Sequence, residues 1–341
     1  MISIGVIGYG YWGPNLVRNF SEASGSRVVS VADLRPERLR AAQQRYPALN
    51  AVRDHRELLD DSMINAVAIA TPVATHYDLA MEALRAGKHV LIEKPLTATS
   101  EQAQRLIDEA TRRRLVLMVD HTFVYTGAVR KIRELVEQAR LGELYYYDSV
   151  RVNLGLFQHD LNVLWDLAVH DLAIMDYVLG VAPVAVAATG VAHVPGQPED
   201  IAYLTCFFED RLIGHLHVNW LAPVKVRRTL IGGARQMIVY DDLEPSEKVK
   251  VYDRGITLND SPEGVYQMLV GYRTGDVWAP QVSLTEALQI EAQHFLDCIE
   301  HGQRSISDGQ AGLRVVRILE AAAESMAQRG RIIEMPAPGC G

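Results

Sequence analysis

Two periodicities divide the chain. Over the first 120 residues, short apolar runs rich in β-branched residues recur at Ile2–Ile7, 27–32, 50–52, 66–70, 89–92 and 116–119. Runs of this kind read as strands buried on both faces of a parallel sheet. Helical stretches at 35–46, 56–59, 75–87 and 99–114 separate them, so the pattern is a doubly wound α/β domain with helices on both faces. An amphipathic helix follows over 128–141, with Val129, Ile132, Leu135, Val136 and Ala139 on one face. A long strand over 143–154 comes next, then a segment over 165–180 that is apolar nearly all round and predicts a buried helix. From 184 the period drops to two, predicting strands at 184–194, 201–209, 212–219, 226–231, 236–241 and 248–252 in a largely antiparallel open sheet. Helices from Ser283 to His301 and from Asp308 to Gly330 and a short strand over 331–335 close the pattern. The expected organisation is a Rossmann domain over 1–121, an α+β domain over 122–336, and a frayed tail over 337–341.

The first strand breaks into Gly8-Tyr-Gly10-Tyr11-Trp12-Gly13, followed by Pro14. Gly8 permits the tight turn, Gly10 lets backbone approach a pyrophosphate, and Gly13 lets the next helix pack closely. Tyr11 and Trp12 lie inside the same loop and count as cofactor-loop residues. Pro14 suits a first helical turn, whose free N–H groups and dipole attract phosphate. The second strand ends at Asp33, twenty residues after Gly13, where an acid meets the adenosine ribose hydroxyls. The alternative is a packing glycine turn with Asp33 as a helix cap. Asp33 favours NAD over NADP, whose 2′-phosphate would face a carboxylate, although Arg35 and Arg38 are close in sequence.

Ligands of such sheets bind outside the carboxyl ends of the strands. Thr71-Pro72, His76, Glu93-Lys94 and Asp120-His121 all fall there. Lys94, fixed between Glu93 and Pro95, stands where a nicotinamide would lie; the plain alternative is a surface lysine paired with Glu93. His76 is either a cofactor contact or a helix cap after Thr75. In the buried helix, Asp166 and His170 are four apart and share a face, which suits a carboxylate–imidazole pair for alcohol oxidation. The alternative makes Asp166 a cap and His170 a hydrogen-bonded core residue, and Asp171 has a structural role in either case. Glu291 and His294 carry metal-ligand side chains without an H-E-x-x-H arrangement, so packing is the expected role and no metal is predicted.

Composition narrows the partners. The 341 residues are 48% hydrophobic, enough for two cores, and carry 34 basic against 42 acidic residues for a net charge of −8. A basic face for nucleic acid or anionic membrane is not expected. Cys206, Cys298 and Cys340 fit neither a disulfide framework nor a zinc motif. No cleavable signal or membrane-spanning run is read, so a cytoplasmic protein is expected.

The glycine fingerprint, the Thr71-Pro72…Thr75-His76 pair and Glu93-Lys94-Pro95 resemble the Gfo/Idh/MocA oxidoreductase family, over essentially the whole chain. The resemblance implies an active-site lysine at Lys94, a proline often preceded by a cis peptide, and the Asp-x-x-x-His pattern at Asp166 and His170. It also implies that the C-terminal sheet packs against another subunit's, giving a homodimer or homotetramer. Where the family often has Gly-His-x-x-Arg, this chain has Asp120-His121. The loop 8–15, Arg151-Val-Asn153 and 272–276 are similar to a subgroup acting on nucleotide-linked sugars, some of whose members oxidise the 3-hydroxyl of UDP-N-acetylglucosamine or its uronic acid. That implies an NAD-dependent sugar dehydrogenase, with Lys94, His170 and Asp166 at the reacting hydroxyl. Tyr125, Arg151, Asn153 and, for the diphosphate, Arg273 are the further substrate contacts. A dehydrogenase of free or phosphorylated sugars or of inositol, and a cofactor-sensing regulator of the same fold, are the alternatives.

Overall fold

The computed structural model describes residues 1–155, 161–258 and 270–336. The expected tail over 337–341, Cys340 and most of the loop after residue 155 lie outside the described residues.

Two compact units emerge. The first comprises residues 1–126 and 285–317, the second 127–284 and 318–341. The split differs from a single cut after residue 121, because residues 285–317 return to the first unit before the last strand of the second sheet.

In the first unit, β1 (Ile2–Ile7), β2 (Ser26–Ala32), β3 (Asn50–Val52), β4 (Ala66–Ile69), β5 (His89–Glu93) and β6 (Leu117–Asp120) form one sheet in the order β3-β2-β1-β4-β5-β6. All pairs are parallel. The order reverses at β1, which starts in the middle and sends β2 to one side and β4 to the other; the crevice there is where doubly wound folds hold ligands. The fully buried residues of β1, β4 and β5 explain the unbroken apolar runs. Helices α1 (Gly13–Glu22), α2 (Pro36–Arg45), α3 (His55–Leu59), α4 (His76–Arg85) and α5 (Ser100–Arg113) connect the strands. The Thr99 hydroxyl accepts from the Gln102 N–H and starts α5, as the S/T-x-x-E/Q spacing predicts.

The second unit holds α6 (Gly127–Glu137), β7 (Leu144–Leu154), α7 (Val169–Leu179), β8 (Ala185–Val191), β9 (Ile201–Phe207), β10 (Ile213–Asn219), β11 (Leu221–Gly233), β12 (Met237–Asp241) and β13 (Val249–Tyr252). A hairpin of β14 (Gly255–Leu258) and β15 (Val270–Arg273) follows, then β16 (Val277–Trp278). The helices α8 (Ala287–His301) and α9 (Gly309–Ala327) precede β17 (Ile333–Glu334); α8 and the start of α9 belong to the first unit. Nine strands make the sheet β16-β13-β12-β11-β7-β10-β9-β8-β17, antiparallel except for the parallel pair β10–β7. Both faces of α7 are buried, as its unbroken apolar sequence requires. It ends at Gly180 in the left-handed region, φ 67°.

Candidate active site

In the first unit the glycine loop has the form a dinucleotide needs. Gly8 has φ +95°, and a Cβ there would sit 2.4 Å from the Ala70 carbonyl oxygen. A Cβ on Gly13 would lie 2.2 Å from the Gly8 carbonyl oxygen, so neither position tolerates a side chain. No side chain caps the start of α1, which leaves that end open to a phosphate. Asp33 is 8% exposed and accepts from the N–H groups of Tyr9 (2.8 Å) and Arg35 (2.9 Å), which ties the loop to the end of β2. Arg35 and Arg38 both stand 3.6 Å from its carboxylate. Glycine cradle, open helix end and acid together fit NAD.

The carboxyl ends of β5 and β6 carry the densest chemistry. Glu93 is the direct ladder partner of Asp120. Lys94 follows Glu93 and His121 follows Asp120, and the Lys94–Pro95 peptide is cis. His76 is fully buried; its ring nitrogens lie 2.9 Å from the Pro95 carbonyl oxygen and 2.8 Å from that of Thr71. Burial lowers its pKa against the pull of those carbonyls. The neutral ring has one N–H and donates to one of these two carbonyls, so His76 sits between the Thr71-Pro72 turn and Pro95, beside Lys94, as a buried link of the two turns. Thr71 is half-buried and Pro72 exposed, and the Thr75 hydroxyl donates to Thr71 Oγ1 (2.8 Å).

Asp120 is 1% exposed. It accepts from Trp12 Nε1 and from Thr122 Oγ1, each at 2.5 Å. Trp12, expected at the cofactor, therefore joins the glycine loop to β6, while Tyr11 beside it is exposed. Beside Asp120 lies Glu291 of α8, 0% exposed, with no hydrogen-bond donor on either carboxyl oxygen. Burial pushes the Glu291 carboxyl well above the carboxylate range, and the Asp120 and Glu93 carboxyls reinforce the shift. Glu93 is pushed up likewise by desolvation and by Asp120, while Lys94 pulls it back. Desolvation and the neighbouring carboxyls thus both disfavour the ionised forms of Glu291 and Glu93. Glu291 escaped the sequence reading as a site residue. Its signal was an acid on the stripe Leu288, Glu291, Ala292 and Phe295, the buried face of α8.

In the second unit a π-helical turn over Leu164–Ala168 runs directly into α7. Asp166 therefore sits in a wider turn than α-helical spacing assumes, a local irregularity common at functional sites. Its Oδ2 accepts from Trp220 Nε1 at 3.1 Å, and Trp220 is fully buried. His170, in the first turn of α7, is half-buried. Asp166 and His170 thus lie on successive turns of one continuous helix.

Three expected sugar or phosphate contacts are engaged elsewhere. Arg151 is 3% exposed and holds Asp171 through Nε (2.6 Å) and Nη2 (3.2 Å), and Ser149 Oγ adds a third donor at 2.8 Å. This is the structural role expected for Asp171, with Arg151 as its partner. Tyr125 is buried with its hydroxyl 2.9 Å from Ser307 Oγ. Arg273 pairs with Asp253 at 2.6 Å and also donates to the Arg235 carbonyl. Asn153 remains half-buried on β7. Among the described residues no group of three or more His, Cys, Asp or Glu side chains is arranged to hold a metal ion, and no helix is long and apolar enough to cross a membrane.

The profile of the GFO/IDH/MocA oxidoreductase family with NAD-binding Rossmann fold matches residues 2–121, and that of its C-terminal alpha/beta domain matches residues 133–335. The chain belongs to this family. It is an NAD-binding oxidoreductase. UDP-N-acetylglucosamine 3-dehydrogenase of Acidithiobacillus ferrooxidans is 30% identical over 95% of this chain and 98% of its own length. A solved structure of that enzyme superposes with a TM-score of 0.80, covering 96% of this chain and 98% of the other at 28% identity. The myo-inositol 2-dehydrogenase of Thermotoga maritima is 27% identical over 96% of both chains.

Proposed function

We propose that this protein is an NAD-dependent dehydrogenase that oxidises a secondary hydroxyl, the 3-hydroxyl, of a nucleotide-linked sugar such as UDP-N-acetylglucosamine or its uronic acid. The observation that carries the reading is the end-to-end similarity to a UDP-N-acetylglucosamine 3-dehydrogenase, in a chain that has Lys94 at the end of β5 and Asp166 and His170 along one helix.

The chemistry asks for two protein groups. NAD, when bound, supplies the hydride acceptor. The Lys94 ammonium donates a hydrogen bond to the reacting hydroxyl oxygen and favours the negative charge that develops there. The His170 imidazole takes the hydroxyl proton, imidazole being the side chain whose ordinary pKa lies nearest neutral pH. Asp166, fixed by the Trp220 indole N–H, orients that imidazole or a neighbouring sugar hydroxyl. Asp33 selects NAD over NADP, because its buried carboxylate repels a 2′-phosphate.

A second reading, oxidation of inositol or an unactivated sugar, is favoured by the 27% identity to an inositol dehydrogenase. Single-turnover NADH formation with stoichiometric enzyme and NAD⁺ separates the two. The panel is UDP-N-acetylglucosamine, its uronate, free N-acetylglucosamine, glucose and myo-inositol. The proposal expects absorbance at the NADH band with the UDP-sugars alone, lost in His170→Ala. A signal with inositol or free sugars, and none with UDP-sugars, would overturn it.

A further inference from the structure

The ladder that pairs Glu93 with Asp120 places Lys94 and His121 as the next two residues beyond adjacent strand ends. Asp120 has its partners in Trp12 and Thr122, and Glu291 lies near both carboxyls. His121 has none. It is 3% exposed, and both ring nitrogens are buried without a hydrogen-bond partner. A neutral imidazole carries one donor and one acceptor, and leaving either unmet in a protein interior is costly. A buried polar group left unpaired in a native structure calls for an explanation, and a catalytic role is one.

The surroundings say what the missing partner is. The charges acting on His121 are the Lys94 ammonium and the Arg314 guanidinium of α9, both cationic; with burial they hold its pKa down at about 3. The ring is therefore a permanent neutral acceptor facing cations. Arg314 is a fixed donor fork, whereas Lys94 has three rotatable donors on a flexible stem.

We infer that His121 is a positioning residue for Lys94: in the substrate-bound enzyme its unpartnered ring nitrogen accepts one ammonium N–H of Lys94, which holds another N–H on the reacting hydroxyl. The inference rests on the dehydrogenase reading of Lys94 and adds a residue to it. A protonated histidine could not do this, since it has no lone pair and would repel the ammonium. Asp120, the neighbour that replaces the glycine of the common family pattern, is tied to Trp12 and Thr122 and leaves His121 as the base at this strand end.

The test compares wild type with His121→Ala and His121→Gln. The expected result for His121→Ala is single-turnover hydride transfer slowed about 10- to 100-fold, the range of one lost hydrogen bond to a charged group. NAD affinity should stay within about twofold. Added imidazole should restore a large part of the rate, and His121→Gln should fall between the two. An unchanged rate, or a loss that imidazole does not relieve and NAD affinity shares, would overturn the inference. A wild type silent on the whole substrate panel would count against the proposed function instead. In that event nitrogen-15 NMR of the imidazoles in the NAD complex decides for His121. A shift of one ring nitrogen on Lys94→Met supports the pairing, and an unmoved resonance overturns it.

Discussion

Arg151 and Asp171 form an ion pair with almost no solvent, and the Ser149 hydroxyl completes the carboxylate's partners. Taking away one member leaves the other charged in a medium that cannot solvate it, which costs about 3–5 kcal/mol. Arg151→Met should therefore lower the melting temperature by many degrees, while Arg151→Met with Asp171→Leu recovers much of the loss. Steady-state KM for the sugar should change little in whichever variant stays folded. A rise in KM with an unchanged melting temperature would return Arg151 to the substrate. From sequence, an arginine followed by an asparagine on a strand invites a ligand, because its counter-charge lies twenty residues away on a helix. The same distance in sequence conceals the Trp12–Asp120 bond, whose partners are 108 residues apart.

Glu291 shows what an element brings that a local pattern cannot. Helix α8 packs in the first unit, against α1, where Phe20 and Phe295 meet edge to face with ring centroids 6.0 Å apart. That packing carries Glu291 in among Asp120, Glu93, Thr122 and Tyr125. Its raised pKa in the fold sets the sign of a pH effect. The neutral acid is favoured in the native state, so its contribution is fully present below the unfolded pKa of about 4.3 and drains away as pH rises toward the folded value. Glu291→Gln keeps the shape but cannot ionise. The melting temperatures of variant and wild type should lie close together at acidic pH, with the variant gaining as pH rises through neutrality. Parallel curves would show that Glu291 does not hold its proton.

Most elements were legible because their causes are local. Buried β-branched runs, the Thr99 cap, the left-handed Gly180 and the switch to period two all act within a few residues. The strand ends, and with them Lys94 and Asp33, were legible for the same reason. The π-helical turn at Leu164–Ala168 was not, since an apolar sequence carries no sign of one extra residue per turn. Nor was the return of α8 to the first unit, which depends on what its buried face meets.

At the scale of the whole molecule, the residues named in the proposed function are distributed over the two units. The first holds the glycine cradle, Asp33 and the paired strand ends with Lys94; the second holds Asp166 and His170 on their π-bulged helix. The two family profiles match residues 2–121 and 133–335, in both units. The proposed function makes cofactor binding and turnover separable: it assigns NAD affinity to the first unit's glycine loop and Asp33, and turnover to Lys94 in addition.

The most direct measurement is therefore Lys94→Ala, assayed for NAD affinity by calorimetry and for hydride transfer in a single turnover on the sugar that wild type accepts. The account predicts a rate reduced by at least about 10²–10³, the scale of one lost group that stabilises developing charge, with an NAD dissociation constant close to that of wild type. Equal losses of affinity and rate, or a rate that survives the substitution, would contradict it.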